Sequence, residues 1–502
     1  MMKTTKKVIS VICVVALLTG ALSTVGFAAS ADRDYTIVNP YADVDWSWDQ
    51  YKTDLHTHTT ASDGRSTLKE MLEINYKYGF DVYAVSDHGL SSYSWTEQQI
   101  IPALKVFVDM RNPGTELVHL DPLGGLTFDG DRYDVVTENG GDYYYQTYAD
   151  GSTGQKMLRV PFAIENNPSS LNNAHVNSWF VDYGNGLLGG TSDYETPIKA
   201  VDELGGLSVI NHPGEYTDAR HEDCTADAYD YTDATYKYYI DKFTSLLEKY
   251  PSCMGIDMNS KGDSRTRFDR KLWDILLMNL APKGRNVLGI ATSDAHSVGA
   301  AYTGYTMMLM PENTVDNLKT AMSTGAFFAA SKKLGNNEEL KEIANYLLEN
   351  GNSEAVAIAE DILARQVDDY NAKYEAPLDV EAPYINSVTV NDYADTITLD
   401  ADDALCIRWI ANGNTIAYGN SIDLDDYAAN IGSYVRAEIF GVGGIVYTQA
   451  FLLEYDDAPV NTTEQDSEFR DFWKILSIIP DTVVRFLGSL EVFQIIWDAI
   501  NG

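Results

Sequence analysis

Apolar residues follow two alternating patterns along the chain, a short continuous run and a longer run with helical spacing. The first such unit has a strand-like run at 51–56, a helix-like stretch at 68–78 and a buried run at 82–86. Gly79 ends the helical stretch. The pattern predicts a strand, a helix and a second strand that pairs in parallel with the first through a right-handed crossover.

The same alternation continues to about residue 330, which favours an α/β barrel of the TIM kind over residues 32–330. Further strands are predicted at 162–165, 174–177, 207–210, 254–258, 287–292 and 302–310, and further helices at 198–204, 236–250, 268–279 and 315–323. Residues 112–158 break the alternation and are rich in Gly, Asp and Tyr. We expect them to form an insertion that lies over a surface of the barrel.

The pattern changes again beyond the barrel. Residues 331–376 are charged and helical in spacing, whereas 377–456 alternate apolar and polar positions in short runs between turn signals. Short strands at this spacing predict a small antiparallel β-sandwich, similar to an immunoglobulin domain. A polar linker and an amphipathic helical tail fill residues 457–502, and the tail carries too many charges for a membrane span. It either docks on its own protein or lies on a membrane or a partner.

The first 31 residues have the pattern of a signal peptide. Lys3, Lys6 and Lys7 precede an apolar run at 8–18, and Ala29-Ser30-Ala31 fits a cleavage site for a signal peptidase. The run is short for a membrane span. We therefore expect a secreted or cell-surface protein.

Composition narrows the function. The chain has 502 residues, a hydrophobic fraction of 45% and a net charge of −38, which is consistent with two to four soluble domains. This charge argues against a nucleic-acid-binding surface, which needs a basic face. Cysteines are too sparse for a disulfide framework; Cys224 and Cys253 are the candidate pair, and buried thiols are the alternative.

Histidines and acids cluster at the ends of the predicted strands. Five of the eight histidines lie at or just past such an end, His175 lies in or just before a strand, and acids accompany them: His56, His58, His88, His212 and His296, with Asp63, Asp87, Glu165 and Asp294. In a TIM-like barrel these strand ends converge on one mouth. Imidazole and carboxylate together suit Zn, Mn or Fe(II).

His56 and His58 carry the most specific signal. Residues two apart on a strand point to the same side, so both imidazoles can reach one metal ion. Asp63 follows on the turn that leaves the strand, which adds an oxygen donor close by.

These motifs, taken in order, resemble the PHP (polymerase and histidinol phosphatase) domain over about residues 51–330. The resemblance is carried by His56-Thr57-His58, Ser62-Asp63-Gly64, Ser86-Asp87-His88, Glu165, His212-Pro213 and Ser293-Asp294-Ala295-His296. It implies a distorted (β/α)7 barrel with two or three divalent metal ions. It would place His56, His58, Glu165 and Asp294 on the first ion, with Glu165 bridging to a second ion held by His175 and His212. Asp63, His88 and His296 would hold the third; many family members have histidine where Asp63 stands, so occupancy of this third position is open.

The resemblance also implies the reaction, hydrolysis of a small phosphorylated molecule by a hydroxide held between the ions. Asp294 can orient that hydroxide or take its proton, and His296 or His88 can protonate the leaving oxygen if the third ion is absent. Asp54 and Asp87 suit acids that orient the ligand imidazoles.

Four further residues are candidates for substrate contact because they follow a strand end that faces the predicted mouth: Asp257, Asn259, Arg265 and Arg267. Capping of the next helix is the alternative for Asp257 and Asn259. Surface ion pairs are the alternative for the two arginines.

Two other classes of function remain open. In the first, the barrel carries vestigial metals and acts with the β-sandwich as a cell-surface protein that binds a cell-wall glycan, a partner or a second copy. In the second, the metals serve hydrolysis of a C–N or C–O bond. The complete ligand set favours an enzyme, because a degenerate site is expected to lose ligands.

Overall fold

The computed structural model describes residues 33–92, 94–95, 125–126, 132–166, 174–185, 194–215, 234–259, 269–333, 337–365, 375–456 and 458. The predicted signal peptide, nearly all of the 457–502 tail, Cys224, Arg265 and Arg267 lie outside these residues, as does much of the 112–158 insertion. All structural statements below refer to the described residues.

Seven α-helices and 22 β-strands occur in the described part of the chain, which confirms a mixed α/β protein. The helices are α1 (Leu68–Lys77), α2 (Glu195–Leu204), α3 (Ala234–Lys249), α4 (Asp269–Leu280), α5 (Val315–Thr324), α6 (Asn337–Asn350) and α7 (Ser353–Arg365). The first strands are β1 (Thr36–Val38), β2 (Asp49–Asp54), β3 (Val82–Tyr83), β4 (Gly125–Leu126), β5 (Arg132–Glu138), β6 (Gly141–Thr147), β7 (Met157–Arg159), β8 (Ile164–Asn166), β9 (Val176–Trp179), β10 (Leu207–Ile210), β11 (Cys253–Asn259), β12 (Leu288–Ala291), β13 (Gly304–Met310) and β14 (Phe327–Ser331). The remaining strands are β15 (Tyr384–Asn391), β16 (Thr396–Asp402), β17 (Cys406–Ala411), β18 (Asn414–Tyr418), β19 (Ser421–Asp423), β20 (Tyr434–Gly441), β21 (Gly444–Tyr447) and β22 (Phe451–Glu454).

Two sheets carry the predicted alternation of strands and helices. In the larger sheet β2, β3 and β7 are neighbours and run parallel, as predicted for the first unit. The second sheet has the order β12-β11-β10-β9-β8; β10, β11 and β12 are parallel, whereas β9 runs antiparallel to both of its neighbours. Local sequence explains the helices: Thr67 and Glu70 form a reciprocal capping box at the start of α1, and Gly205 ends α2 in the left-handed conformation.

A closed barrel is not detected among the described strands. Instead, two isolated parallel bridges join the two sheets, one between Thr57 and Ala295 and one between His88 and Glu165. The N–H of His58 donates to the carbonyl of Ala295 over 2.9 Å at the first bridge. Both bridges involve segments that carry predicted metal ligands, so the sheets meet where the ligands lie.

The described part of the insertion is an ordered hairpin. Strands β5 and β6 pair from Arg132 with Thr147 to Glu138 with Gly141. Asn139 and Gly140 connect them with positive φ angles of 49° and 78°, which suits the right-handed twist of a hairpin. Tyr144 is fully buried and packs edge-on against Tyr76 of α1. The hairpin therefore packs against helix α1 through this tyrosine.

Beyond the barrel, helices α6 and α7 lie where helical residues were predicted, and the strands from β15 onward are antiparallel as predicted. Strand β14 was not predicted, and it pairs with β13 on one side and β21 on the other. It thereby joins the C-terminal strands to the sheet that contains β2. The domain boundary placed near residue 376 stays a prediction, and one continuous sheet crosses it.

The two cysteines in the described part of the chain form no disulfide bond. Cys253 and Cys406 are buried free thiols, which matches the alternative to a disulfide at Cys253.

Within the described residues, no helix has both the length and the apolar character that crossing a membrane requires.

Candidate metal centre

The structure brings all nine predicted ligands into one cluster at the strand ends. His56 and His58 follow β2, His88 follows β3, and the others lie in or beside strands β8, β9, β10 and β12: Glu165, His175, His212, Asp294 and His296, with Asp63 on the turn after β2. Three groups of donors have ligand atoms within 4.8 Å of one another: His56, His58 and Asp294; His56, Glu165 and His212; and His58, Asp63, His88 and His296.

The deepest donors surround a single point. The Nε2 atoms of His56 and His58 lie 3.0 Å apart. Both approach Glu165 Oε2, at 3.3 and 3.1 Å, and Asp294 Oδ1, at 3.4 and 3.3 Å. A tetrahedral ion with bonds of about 2.0–2.1 Å places its ligand atoms roughly 3.3 Å apart. The separations observed in this buried group therefore fit one divalent ion.

Glu165 connects this group to a second set of donors. Its Oε1 lies 2.9 Å from His175 Nδ1 and 3.3 Å from His212 Nε2, while its Oε2 faces the first group. The bridging position implied by the family resemblance is therefore geometrically available. The donor group whose ligand atoms all lie within 4.8 Å of one another contains His56, Glu165 and His212 but not His175. His175 therefore contacts the Glu165 carboxylate from the edge of the cluster.

The third group is the most open to solvent. Asp63 Oδ1 lies 3.3 Å from His296 Nε2, and Asp63 Oδ2 lies 3.7 Å from His88 Nε2. The side chains of Asp63 and His296 are 23% and 32% exposed, whereas His58 is fully buried. Solvent therefore reaches the cluster at this third group.

Electrostatics favour the ligand forms of these side chains. Burial lowers the pKa of His56 and of His88 to about 3, so both imidazoles are neutral and offer a lone pair. Burial alone would raise the pKa of Glu165 and of Asp63. The charge and hydrogen bond of His175 at Glu165, and those of His296 together with the charge of His58 at Asp63, outweigh burial and hold both pKa values well below the usual range. Neutral imidazoles and ionised carboxylates are the forms that bind a metal ion.

The pKa of His58 indicates which sign of charge the cluster stabilises. Burial acts to lower its pKa, but a hydrogen bond to Glu165 and the charges of Asp63, Glu165 and Asp87 raise it. The surrounding acids thus favour positive charge at this point. Ser62 Oγ lies 3.4 Å from His58 Nδ1 and donates to Asp87, which places the imidazole proton on Nδ1 and leaves Nε2 for a cation.

The backbone is strained at two ligands and crowded at the glycine that follows a third ligand. His212 and Asp294 have φ angles of 23° and 45°, in a region that side chains other than glycine rarely adopt. A Cβ atom on Gly64 would lie 2.7 Å from the backbone carbon and oxygen of Thr59. Only glycine therefore fits the turn that presents Asp63.

Asp54 and Asp87 hold the loops that carry the ligands. Asp54 accepts hydrogen bonds from the backbone N–H of His56 and from the N–H and hydroxyl of Ser293. Asp87 accepts from the N–H and hydroxyl of Thr59 and from the Ser62 hydroxyl. We predicted that these acids orient imidazoles; in the described contacts they act through loop backbone and hydroxyl groups, and Asp87 reaches His58 through Ser62.

The predicted substrate-binding residues are less clearly placed. Asp257 and Asn259 are buried in β11; Asp257 accepts from the Thr292 hydroxyl, and Asn259 donates to Tyr447 over 3.4 Å. These contacts favour a structural role, and a contact of either residue with substrate stays a prediction. Arg265 and Arg267 lie outside the described residues.

Three residues that contact a ligand or one of the two supporting acids were given no role from the sequence: Asn211, Ser62 and Ser293. Asn211 donates from Nδ2 to Glu165 Oε1 over 2.8 Å. Ser62 and Ser293 bond to Asp87 and Asp54 as described above. Each of the three directly precedes a predicted ligand, as in Asn211-His212. That adjacency is the signal that could have identified them.

Comparisons with known proteins give limited guidance. No family model matches the chain, and no curated protein matches it. One similar solved structure is a two-domain protein from Bacteroides vulgatus that contains a predicted PHP-like metal-dependent phosphoesterase, with 12% identity, a TM-score of 0.35, and coverage of 82% of this chain and 89% of the other. Another is the lesion-specific endonuclease PfuEndoQ from Pyrococcus furiosus, with 13% identity, a TM-score of 0.28, and coverage of 55% and 56%. With TM-scores this low, neither likeness supports a conclusion about this chain.

Proposed function

We propose that this chain is an exported, metal-dependent phosphoesterase that hydrolyses a small phosphorylated molecule. The observation that carries the proposal is the convergence of buried and solvent-facing donor groups in a single cluster. Its donors suit Zn, Mn or Fe(II), and Glu165 can join two ions through its two carboxylate oxygens. Export rests on the N-terminal sequence pattern alone.

Divalent ions held by this cluster would supply Lewis acidity toward water and toward the phosphoryl oxygens. The protein would supply proton transfer and orientation. The carboxylate of Asp294 lies in the deepest group, where it can accept a proton from the attacking water. His296 Nδ1 lies 2.9 Å from the carbonyl oxygen of Asp294, which fixes the ring while its partly exposed side faces the mouth. If no third ion is bound, a protonated His296 can donate its proton to the leaving oxygen.

We also infer that the two sheets are the halves of the distorted (β/α)7 barrel. The two bridges, at Thr57 with Ala295 and at His88 with Glu165, are single contacts in place of continuous ladders. Short seams of this kind at the strand ends leave room for side chains that carry ligands. The distortion of the barrel would therefore make space for the metal ligands.

The proposal is tested by turnover of p-nitrophenyl phosphate and bis(p-nitrophenyl) phosphate after loading with Mn or Zn. His58→Ala removes a donor shared by two groups, so we expect a loss of about 100-fold or more in kcat/KM and a lower metal content. His119→Ala is the matched control, because this histidine was not predicted as a ligand. Stable metal binding by the wild-type protein without turnover of either ester would contradict the proposal.

A further inference from the structure

Asn211 forms a hydrogen bond with Glu165, the central carboxylate of the cluster. It lies directly after β10 and is fully buried. Its backbone N–H donates to the carbonyl of His175 over 3.1 Å, and its side-chain Nδ2 donates to Glu165 Oε1 over 2.8 Å. Asn211 therefore forms hydrogen bonds both with the backbone of His175 and with the carboxylate of Glu165, which faces members of all three donor groups.

The contact acts on one of two carboxylate oxygens that have different neighbours. Glu165 Oε2 faces His56, His58 and His88 at 3.1–3.3 Å. Oε1 faces Asn211, His175 and His212. A carboxylate that is free to rotate would exchange these roles, whereas an amide donor fixed to Oε1 holds the carboxylate plane in place.

The orientation of the Asn211 amide is set by Glu165. An ionised carboxylate only accepts hydrogen bonds, so the amide must present its NH2 group to it. The other end of the amide, Oδ1, is buried and has no hydrogen-bond partner among the described residues. The contact with Glu165 therefore sets the orientation of the Asn211 amide, because Asn211 Oδ1 makes no described hydrogen bond that could set it.

We propose that Asn211 is a positioning residue that fixes Glu165 between the metal-binding groups, so that one carboxylate oxygen serves each side. The inference rests on the metal centre of the proposed function and goes beyond it, because it assigns a task to a residue that is not itself a ligand. It predicts that loss of the amide weakens metal binding without loss of any donor atom.

The test compares Asn211→Ala with Asn166→Ala by titration with Co²⁺, with visible absorption spectra and chelator competition as the readouts. Asn166 is the matched control because it is a buried asparagine next to Glu165 in β8, and it donates to Val176 and Ser178. We expect Asn211→Ala to weaken Co²⁺ binding about 10- to 100-fold and to change the absorption spectrum. Asn166→Ala should retain wild-type affinity and spectrum even if both variants lose thermal stability.

Several outcomes would overturn the inference. Wild-type affinity and spectrum in a folded Asn211→Ala protein would show that Glu165 needs no such support. Asn211→Ser, whose side chain is too short for the contact, repeats the test if the alanine variant does not fold, and failure of both to fold would assign Asn211 a purely structural role. A wild-type protein that binds Co²⁺ but hydrolyses no phosphoester contradicts only the proposed function, whereas one that binds no ion contradicts both.

Discussion

Individual residues at the metal centre are held by partners from neighbouring strands. Asp54 at the end of β2 reaches the loop that carries Asp294, and Asp87 after β3 reaches the loop that carries His58. Each acid lies one or two residues before a ligand of its own strand. The acids therefore couple adjacent ligand loops, which limits the movement of each ligand relative to the next.

Asp81 provides a prediction about stability at this scale. Its carboxylate accepts a hydrogen bond of 2.7 Å from the N–H of Lys52, and burial raises its pKa to about 7. The folded state thus retains the Asp81 proton to a higher pH than the unfolded state, so the contribution of Asp81 to stability falls as pH rises from about 4 to about 7. Over this range the stability of the wild type relative to Asp81→Asn should fall by roughly 2–4 kcal/mol.

Urea unfolding of the metal-free protein at several pH values measures this difference. Asp43→Asn, which removes the same charge from an exposed position, is the control. A difference between the wild type and Asp81→Asn that does not vary with pH would contradict the assignment.

At the scale of elements, sequence patterns located most of the barrel strands and helices to within a few residues. Strand β10 has the predicted bounds, and α1 ends one residue earlier than predicted. Strand β2 was predicted to reach His56 but ends at Asp54, because its ladder gives way to the loop that carries the ligands. Strand β14 was missed, since its identity depends on pairing with β13 and with the distant β21.

The turn at residues 59–66 carries a prediction about metal binding. Gly64→Ala would force the added Cβ against the backbone of Thr59 and shift Asp63, so ion binding at the exposed group should weaken about 10-fold or more while the buried group still binds. Gly299 lies in a short 3₁₀ helix (Val298–Ala300) nearby, where an added Cβ meets only Ser297 Oγ at 4.0 Å, so Gly299→Ala should leave binding unchanged. Equal metal content and affinity in both variants, measured by elemental analysis and chelator competition, would refute the role given to this turn.

At the scale of the whole molecule, a buried ionic network joins the strand-and-helix region before residue 331 to the C-terminal strands. Arg436 of β20 forms two hydrogen bonds of 2.8 Å with Asp274 of α4 and one of 2.6 Å with Glu438. The hydrophobic core is also continuous between the two parts, with Leu288 and Phe328 in the same cluster as Trp409 and Val435. These contacts indicate that the two parts unfold together.

Arg436→Met tests this coupling, because it leaves Asp274 buried without the arginine that pairs with it, while Glu438 keeps its ion pair with Arg408. We expect a loss of about 3–5 kcal/mol in unfolding free energy, seen by calorimetry as one transition that moves to lower temperature. Lys69→Met removes an exposed cation from an i,i+4 pair and should change stability by about 0.5 kcal/mol or less. Two separate transitions, of which only one shifts, would show that the C-terminal strands unfold independently.

The sequence by itself determined the alternation of strands and helices and the residues that can bind metal, because both follow from local spacing. His56 and His58 lie two apart, and Gly64 follows Asp63, whatever the rest of the chain does. Tertiary structure alone decided that His56 closes the group with Glu165 and His212, that Asn211 holds Glu165, and that β14 continues the sheet across the predicted boundary. These outcomes depend on distances between residues far apart in sequence, which are set by the packing of the whole core.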